Sequence, residues 1–183
     1  MLPVQKMRLP SLLKGQRNGL VQESYLHKFG LANYRLLEPA ARSARALIAA
    51  AEDAGFTVWT TGTYRSLAAQ VDLFTSRYAN SKVEGVLPVW WNNRRWWKRP
   101  GVAQAAKPGA SNHGWGLAVD FCLKDKGKIV SVSKPFVKWM CENAHRWGWS
   151  AELQSEPWHW RYVAGDSIPQ EVLAFEQESE NNV

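Results

Sequence analysis

The sequence has few cysteines and no long apolar run. Two of its 183 residues are cysteines, Cys122 and Cys141, and two cysteines without C-x-x-C spacing form neither a disulfide framework nor a thiolate zinc site. No stretch approaches the roughly 18 apolar residues of a membrane span. The start, MLPVQKMRLP, is broken by prolines and lacks the apolar core of a signal peptide. We therefore expect a protein made in the cytoplasm, without a membrane span, whose thiols are free and buried.

Acidic residues are outnumbered by basic ones. The 23 Lys and Arg residues against 16 Asp and Glu residues give a formal net charge of +7. This excess favours acidic partners, which include nucleic acid, an anionic membrane surface and an anionic cell wall. Charge alone does not choose among them. The length suits a single domain, and 45% hydrophobic with 21% charged residues is an ordinary globular balance.

Helical and strand patterns follow one another without regular βαβ alternation. This order predicts an α+β fold, with an antiparallel sheet and helices packed around it. The predicted helices are 38–54, a second one capped by Ser66, and 133–148. The predicted strands are 56–65, 116–123 and 158–163, with a hairpin at Lys126-Gly127. We expect residues 79–110 to be an irregular connection, and the tail after Ile168 to form a short helix that frays into acidic residues.

A charged residue within an apolar strand is the first chemical signal. Side chains alternate along a strand, so Asp120 shares a face with Ala118 while Leu117, Val119 and Phe121 face the core. Burying a carboxylate is costly unless a cation or several donors meet it. The pattern indicates a cation at Asp120.

Two histidines lie in unusual company. His113 precedes the Asp120 strand across a glycine-rich turn, and His159 begins another strand. Two imidazoles and one carboxylate, with one position left for water, are typical of catalytic zinc. Glu156, three residues before His159, is placed to exchange a proton with that water. The competing interpretation is that each histidine is an ordinary core residue beside tryptophans.

Three short motifs resemble one family of zinc peptidases, the D-alanyl-D-alanine carboxypeptidases and dipeptidases (LAS peptidases). The pattern S-x-H-x-x-G-x-A-x-D is matched by Ser111, His113, Gly116, Ala118 and Asp120. The pattern E-x-W-H is matched by Glu156, Trp158 and His159. A third motif is matched by Tyr64, Arg65, Ser66 and the downstream Gln70. The motifs occur in family order, and the resemblance covers residues 36–165. It predicts an N-terminal extension (1–35) packed on this peptidase domain and a C-terminal tail (166–183).

The resemblance implies an α+β fold with zinc in a cleft on the sheet. It implies one Zn²⁺ per chain, held by His113, Asp120 and His159, with Glu156 as general base and acid. It also places Arg65 beside the scissile carbonyl, where a fixed positive charge would stabilise the oxyanion. The alternative for Arg65 is a surface arginine at a helix start.

The resemblance implies supporting roles for four further residues, which would bind substrate or orient a ligand: Ser111, Tyr64, Gln70 and Trp158. For Gln70, a solvated position on a helix is an equally open interpretation.

The implied function is hydrolysis of peptide bonds in the stem peptides or cross-bridges of bacterial peptidoglycan. Both a D,D-carboxypeptidase and an endopeptidase fit. The missing signal peptide favours a phage endolysin, which acts on the wall after release or as a virion component, and we expect a monomer. The alternative is a catalytically inactive module that binds cell wall or a protein partner.

The segment WWNNRRWWKR (90–99) mixes four tryptophans with basic residues. It could stack nucleic-acid bases, lie at a membrane interface, or flank the active cleft and hold an anionic, sugar-rich polymer; plain packing is the competing explanation. No nucleic-acid-binding module pattern is present, so we do not expect a nucleic-acid partner.

Overall fold

A computed structural model describes residues 1–181 of the chain. Its α-helices are Glu38–Asp53 (α1), Leu67–Arg77 (α2), Lys134–Asn143 (α3) and Gln170–Asn181 (α4). Its strands are Leu26–Lys28 (β1), Arg35–Leu37 (β2), Val58–Gly62 (β3), Tyr78–Ala79 (β4), Val89–Trp91 (β5), Arg94–Lys98 (β6), Ala118–Asp125 (β7), Lys128–Val130 (β8), Trp149–Ala151 (β9) and His159–Tyr162 (β10). The predicted α+β class with antiparallel sheets is confirmed.

The central sheet carries the strands that matter for the site. Its order is β3-β7-β10-β9, all neighbours are antiparallel, and β8 pairs with β7 as the predicted hairpin. Leu117, Val119 and Phe121 are buried in the main hydrophobic core, as the alternation predicted. Asp120 therefore projects from the other face of β7.

Helix α1 supports the sheet from the core side. Its alanine-rich sequence favours a helix, and Pro39 lies in its first turn, where a missing N–H costs nothing. Buried Ser43 links the helix to β9: Trp149 Nε1 donates a hydrogen bond to Ser43 Oγ at 2.7 Å, and that hydroxyl donates to the carbonyl of Trp147. The position of β9 is thus fixed by a polar contact inside the core.

Residues 79–110 are more regular than predicted. Strands β4, β6 and β5 form a three-stranded antiparallel sheet, so the expectation of an irregular connection is wrong over 89–98. Trp91 and Trp96 pack on Phe74, with ring centroids 5.3 and 5.5 Å away, in a small second core. The strands hold only two to five residues, too few for a period-two pattern to stand out in a segment crowded with tryptophan.

The two ends of the chain pack on the same body. In the N-terminal segment, Val4 bridges to Ala151 and Arg8 to Ala164. Helix α4 continues to Asn181, longer than the short helix expected, and residues 182–183 lie outside the described part. The division of the chain at residues 35 and 165 stays a prediction. Both cysteines are free in the described part of the chain, although Cys141 is only half-buried.

None of the described helices could span a lipid bilayer.

We expect Ser43→Ala to lower the free energy of unfolding by about 1–3 kcal/mol, because it leaves the buried Trp149 N–H without its acceptor. Urea denaturation followed by tryptophan fluorescence measures the change. Ser76→Ala, at an exposed helix position, is the control and should change stability by less than about 0.5 kcal/mol. Equal stability of the two variants would contradict the importance of this contact.

Candidate metal centre

Three predicted ligands converge in the structure. His113 lies in a 3-10 helix, Asn112–Trp115, whereas Asp120 and His159 lie in β7 and β10. One ligand atom from each of the three lies within 4.8 Å of the other two. Asp120 Oδ1 is 2.8 Å from His159 Nδ1, and Asp120 Oδ2 is 3.3 Å from His113 Nε2. Both imidazoles are buried, so their nitrogens could hold a metal ion away from bulk solvent.

Strand register and one glycine bring these residues together. His159 and Asp120 are direct partners in the β7–β10 pair, so their side chains lie on the same face. Gly116 ends the 3-10 helix with φ +67°, and a Cβ there would lie 2.7 Å from the backbone nitrogen of Leu37. Only glycine fits this turn, which places His113 beside the start of β7.

A second glycine makes room for the carboxylate. Gly62 pairs with Asp120 across β3 and β7, next to an irregularity in the register. A Cβ on Gly62 would lie 2.6 Å from Asp120 Oδ2. Thr60, which is fully buried, places its hydroxyl 2.9 Å from the carbonyl of Asp120. The space for the Asp120 side chain is therefore set by the neighbouring strand.

The tautomer of His113 follows from its partner. His113 Nδ1 lies 2.8 Å from the carbonyl of Thr63. A carbonyl only accepts, so Nδ1 carries a proton. Nε2, which faces Asp120, donates to that carboxylate when the ring is doubly protonated, and in the neutral ring its lone pair can bind a metal ion.

His159 has carboxylates on both sides. Its Nδ1 faces Asp120, and its Nε2 lies 2.7 Å from Glu152 Oε2. Burial disfavours the charged imidazole, but the hydrogen bonds to these two carboxylates outweigh it and raise the pKa of His159 to about 9. The hydrogen bond from His159 lowers the pKa of Glu152 to about 2, against the effect of burial. Burial alone would raise the pKa of Asp120, yet hydrogen bonds from His113 and His159 hold it well below its usual range.

Glu152 was not identified from the sequence. It lies seven residues before His159, outside every motif, and reaches the site because β9 and β10 are antiparallel neighbours. A strand prediction for 149–151 would have been the needed signal, but this three-residue strand follows directly on the glycine that ends the preceding 3-10 helix.

The donor set fits a zinc ion. Two buried imidazole nitrogens and one carboxylate oxygen, each offering an electron pair, are typical ligands of catalytic zinc. Asp120 also lies at hydrogen-bond or ion-pair distance from both rings, which compensates its buried charge. The structure thus brings together the predicted His113, Asp120 and His159.

Glu156 lies in the turn before β10. Its backbone carbonyl accepts a hydrogen bond from the N–H of His159 at 2.9 Å. Among residues 1–181, its carboxylate makes no hydrogen bond or ion pair, in contrast to that of Glu152. A half-buried carboxylate without a partner is available to exchange protons with a substrate or water.

Arg65 is held by the glutamine of the same motif. Arg65 Nη1 donates to Gln70 Oε1 at 2.8 Å, and Gln70 Nε2 donates to the carbonyl of Ala106 at 2.7 Å. Gln70 is 2% exposed, so the interpretation as a solvated helix position is wrong. Burial lowers the pKa of Arg65, and the charge of Asp120 opposes this. Arg65 is therefore partly buried within electrostatic reach of the metal centre, unlike a surface arginine.

The other predicted residues make contacts within the protein. The carbonyl of buried Ser111 accepts a hydrogen bond from Asn18 Nδ2 at 2.7 Å. Tyr64 Oη donates to the carbonyl of Gly19 at 3.1 Å. The side chain of Trp158 is exposed, while its carbonyl accepts from the N–H of Phe121. The roles of Ser111, Tyr64 and Trp158 toward a substrate stay predictions.

One cleft shares a wall with the 3-10 helix that carries His113, although none of the three ligands lines it. It has a volume of about 450 Å³ and is lined in part by Leu67 of α2, Trp91 of β5 and Trp115, two residues after His113. The hairpin formed by β5 and β6 thus contributes one wall of the cleft. Trp90 is exposed on the hairpin, with the Arg95 guanidinium 5.1 Å from its ring centroid.

Comparison with known proteins identifies the family. Residues 33–165 match the family model VanY, described as D-alanyl-D-alanine carboxypeptidase. The chain belongs to the D-alanyl-D-alanine carboxypeptidase family. This confirms the resemblance drawn from the three motifs. No curated protein sequence matches the chain significantly.

Solved structures share the fold at low identity. The chain is similar to a VanY D,D-pentapeptidase variant from a VanB-type resistance cassette in complex with Zn(II): TM-score 0.57, 20% identity, covering 97% of this chain and 93% of that one. It is similar to VanYB in complex with D-alanine-D-alanine: TM-score 0.55, 21% identity, 89% and 92% covered. It is also similar to the LD-carboxypeptidase LdcB: TM-score 0.56, 22% identity, 88% and 76% covered.

We expect Gly62→Ala to weaken zinc binding about tenfold or more, because the new methyl group displaces the Asp120 carboxylate. Competition with a chromophoric chelator measures the affinity. Thr61→Ala, at the exposed neighbouring position, should bind zinc as the unaltered protein does. Unchanged affinity in Gly62→Ala would show that Asp120 does not hold the ion.

We expect the metal-free protein to lose thermal stability as the pH rises from about 6.5 to 9. His159 has a folded-state pKa of about 9 and an ordinary value of 6.5. A group whose pKa is higher in the folded protein than in the unfolded chain stabilises the fold fully at pH values below its unfolded-state pKa. This stabilisation is lost as the pH rises through its folded-state pKa. Melting temperatures of chelator-treated protein across this range test it. His159→Gln should flatten the alkaline decline, and His27→Gln, at an exposed position, should not.

Proposed function

We propose that the protein is a zinc-dependent peptidase that hydrolyses peptide bonds in the stem peptides or cross-bridges of bacterial peptidoglycan. The observation that carries the proposal is the convergence of two buried imidazoles and one carboxylate within a chain of the D-alanyl-D-alanine carboxypeptidase family. In this proposal one zinc ion is held by His113, Asp120 and His159. Bound there, zinc would supply Lewis acidity, polarising a carbonyl and acidifying water.

Glu156 is the proposed general base and acid. It would take the proton from the attacking water and return it to the leaving amine. Its carboxylate has no partner among the described residues, so no ion pair has to break before the proton moves. Glu152 suits this role less well because its carboxylate already accepts hydrogen bonds from His159 and Asn112.

Arg65 is proposed to stabilise the charge that develops on the scissile carbonyl oxygen. Its guanidinium stays charged when partly buried, and Gln70 limits its movement. A fixed cation needs no reorganisation as the oxyanion forms, which is what makes such a group effective.

The substrate class is proposed from the relatives together with the charge. VanYB has been solved with D-alanine-D-alanine, and the LdcB structure reveals the molecular basis of peptidoglycan recognition by that protein. The net charge of +7 suits an anionic wall. We propose that the protein acts on the wall, either as a lytic enzyme after release or as part of a virion, and works as a monomer.

We expect Glu156→Gln to lower the rate of peptide hydrolysis at least about 100-fold while zinc affinity is kept. The substrates are purified peptidoglycan and a stem peptide ending in D-Ala-D-Ala, with products read by mass spectrometry. Glu84→Gln, at a fully exposed position, is the matched control and should be fully active.

The products distinguish the remaining alternatives. Release of one terminal alanine identifies a carboxypeptidase, and internal cuts identify an endopeptidase. Zinc-loaded protein that forms no product from either substrate would contradict the proposal and favour an inactive module that binds cell wall or a protein partner.

A further inference from the structure

We propose that Glu152 is a positioning residue of the metal centre, which fixes the ring of His159 and thereby sets the affinity for zinc. This inference rests on the proposed metal site and does not depend on the substrate. Glu152 lies outside the three motifs that led to the site, and its contacts alone support the role.

Strand register places Glu152 in line with two ligands. Trp160 pairs with Ala151 in the β9–β10 ladder, so continuing the register by one residue puts Glu152 opposite His159. His159 in turn pairs with Asp120 of β7. Directly opposite residues point to the same face of a sheet. Asp120, His159 and Glu152 therefore form a row across three neighbouring strands.

Each histidine has one nitrogen towards Asp120 and the other nitrogen held by a protein acceptor. For His113 the acceptor is the Thr63 carbonyl, and for His159 it is Glu152 Oε2, 2.7 Å from Nε2. An acceptor on the far nitrogen fixes the orientation and tautomer of a metal-binding imidazole. A carboxylate accepts more strongly than a carbonyl, so it also makes the ring a stronger electron-pair donor.

Glu152 is itself held in place. Asn112 Nδ2 donates to Oε2 at 2.8 Å, and Arg161 Nη1 lies 3.5 Å from Oε1. Arg161 Nη2 donates to the carbonyl of Gln5 in the N-terminal segment at 2.8 Å. Asn112 precedes His113 in the chain, so one carboxylate connects the surroundings of both histidines.

These contacts distinguish Glu152 from Glu156, whose carboxylate has no partner among residues 1–181. A carboxylate that holds two hydrogen-bond donors on one oxygen and faces an arginine with the other is poorly suited to take a proton from water. Its negative charge also offsets part of the positive charge that a divalent ion brings into a buried site. Both effects predict tighter zinc binding with Glu152 than without it.

The test compares zinc affinity in the full-length, metal-free chain and in three variants. Glu152→Ala should weaken zinc binding about 10–100-fold, and its cobalt(II) derivative should have a changed absorption spectrum because the ligand ring is reoriented. Glu152→Gln should lose less, since the amide oxygen still accepts from Nε2–H. Glu84→Ala, which also removes an exposed negative charge, should match the unaltered protein.

Two results would overturn the inference. One is an unchanged zinc affinity and cobalt spectrum in Glu152→Ala. The other is a Glu152→Gln variant that binds zinc normally but loses hydrolysis as severely as expected for Glu156→Gln, which would make Glu152 the general base. If Glu152→Ala does not fold, Glu152→Leu, which is larger but has no acceptor for Nε2–H, decides by the same readouts. Absence of zinc binding in the unaltered protein would instead contradict the metal centre and the proposed function.

Discussion

A carboxylate in the middle of an apolar sheet is the constraint on which the site depends. Asp120 lies on β7, which pairs with β3 on one side and β10 on the other. Its charge can stay in this position only because donors or a cation meet it. Each neighbour contributes to that requirement: β3 has Gly62 where a larger side chain would collide, β10 supplies His159, and the turn before β7 supplies His113.

The same constraint ties the ligand side chains to one another. Both imidazoles lie at hydrogen-bond or ion-pair distance from Asp120, and Glu152 completes the arrangement on the far side of His159. Side chains that are held by one another in this way have little conformational entropy left to lose when they bind an ion.

Local patterns in the sequence predicted some of the site residues. Alternation along 117–121 predicted which residues of β7 face the core and singled out Asp120, because a period of two is visible in five residues. Short motifs picked out His113, His159 and Arg65. The acceptors behind the ligands were not predictable in this way: Thr63 acts through its backbone, and Glu152 acts through a strand pairing that no local pattern specifies. Gly62 matters only through its partner across the sheet.

The tryptophan-rich segment shows a similar limit. Its sequence allowed several binding roles as well as plain packing, and the structure divides the residues between them. Trp91 and Trp96 pack on Phe74, whereas Trp90 stays exposed beside Arg95. Composition alone could not separate them, because the side to which each ring points depends on a hairpin between Trp91 and Arg94.

The N-terminal segment has a consequence for the behaviour of the protein in solution. Strand β9 ends the central sheet, and Val4 bridges to its Ala151. The N–H of Gln5 donates to Ser150 Oγ, and that hydroxyl donates to the carbonyl of Pro3. A free strand edge next to a buried core invites pairing with other molecules, which leads to aggregation. By covering this edge, the first residues of the chain keep the central sheet from growing outward onto a second molecule at β9.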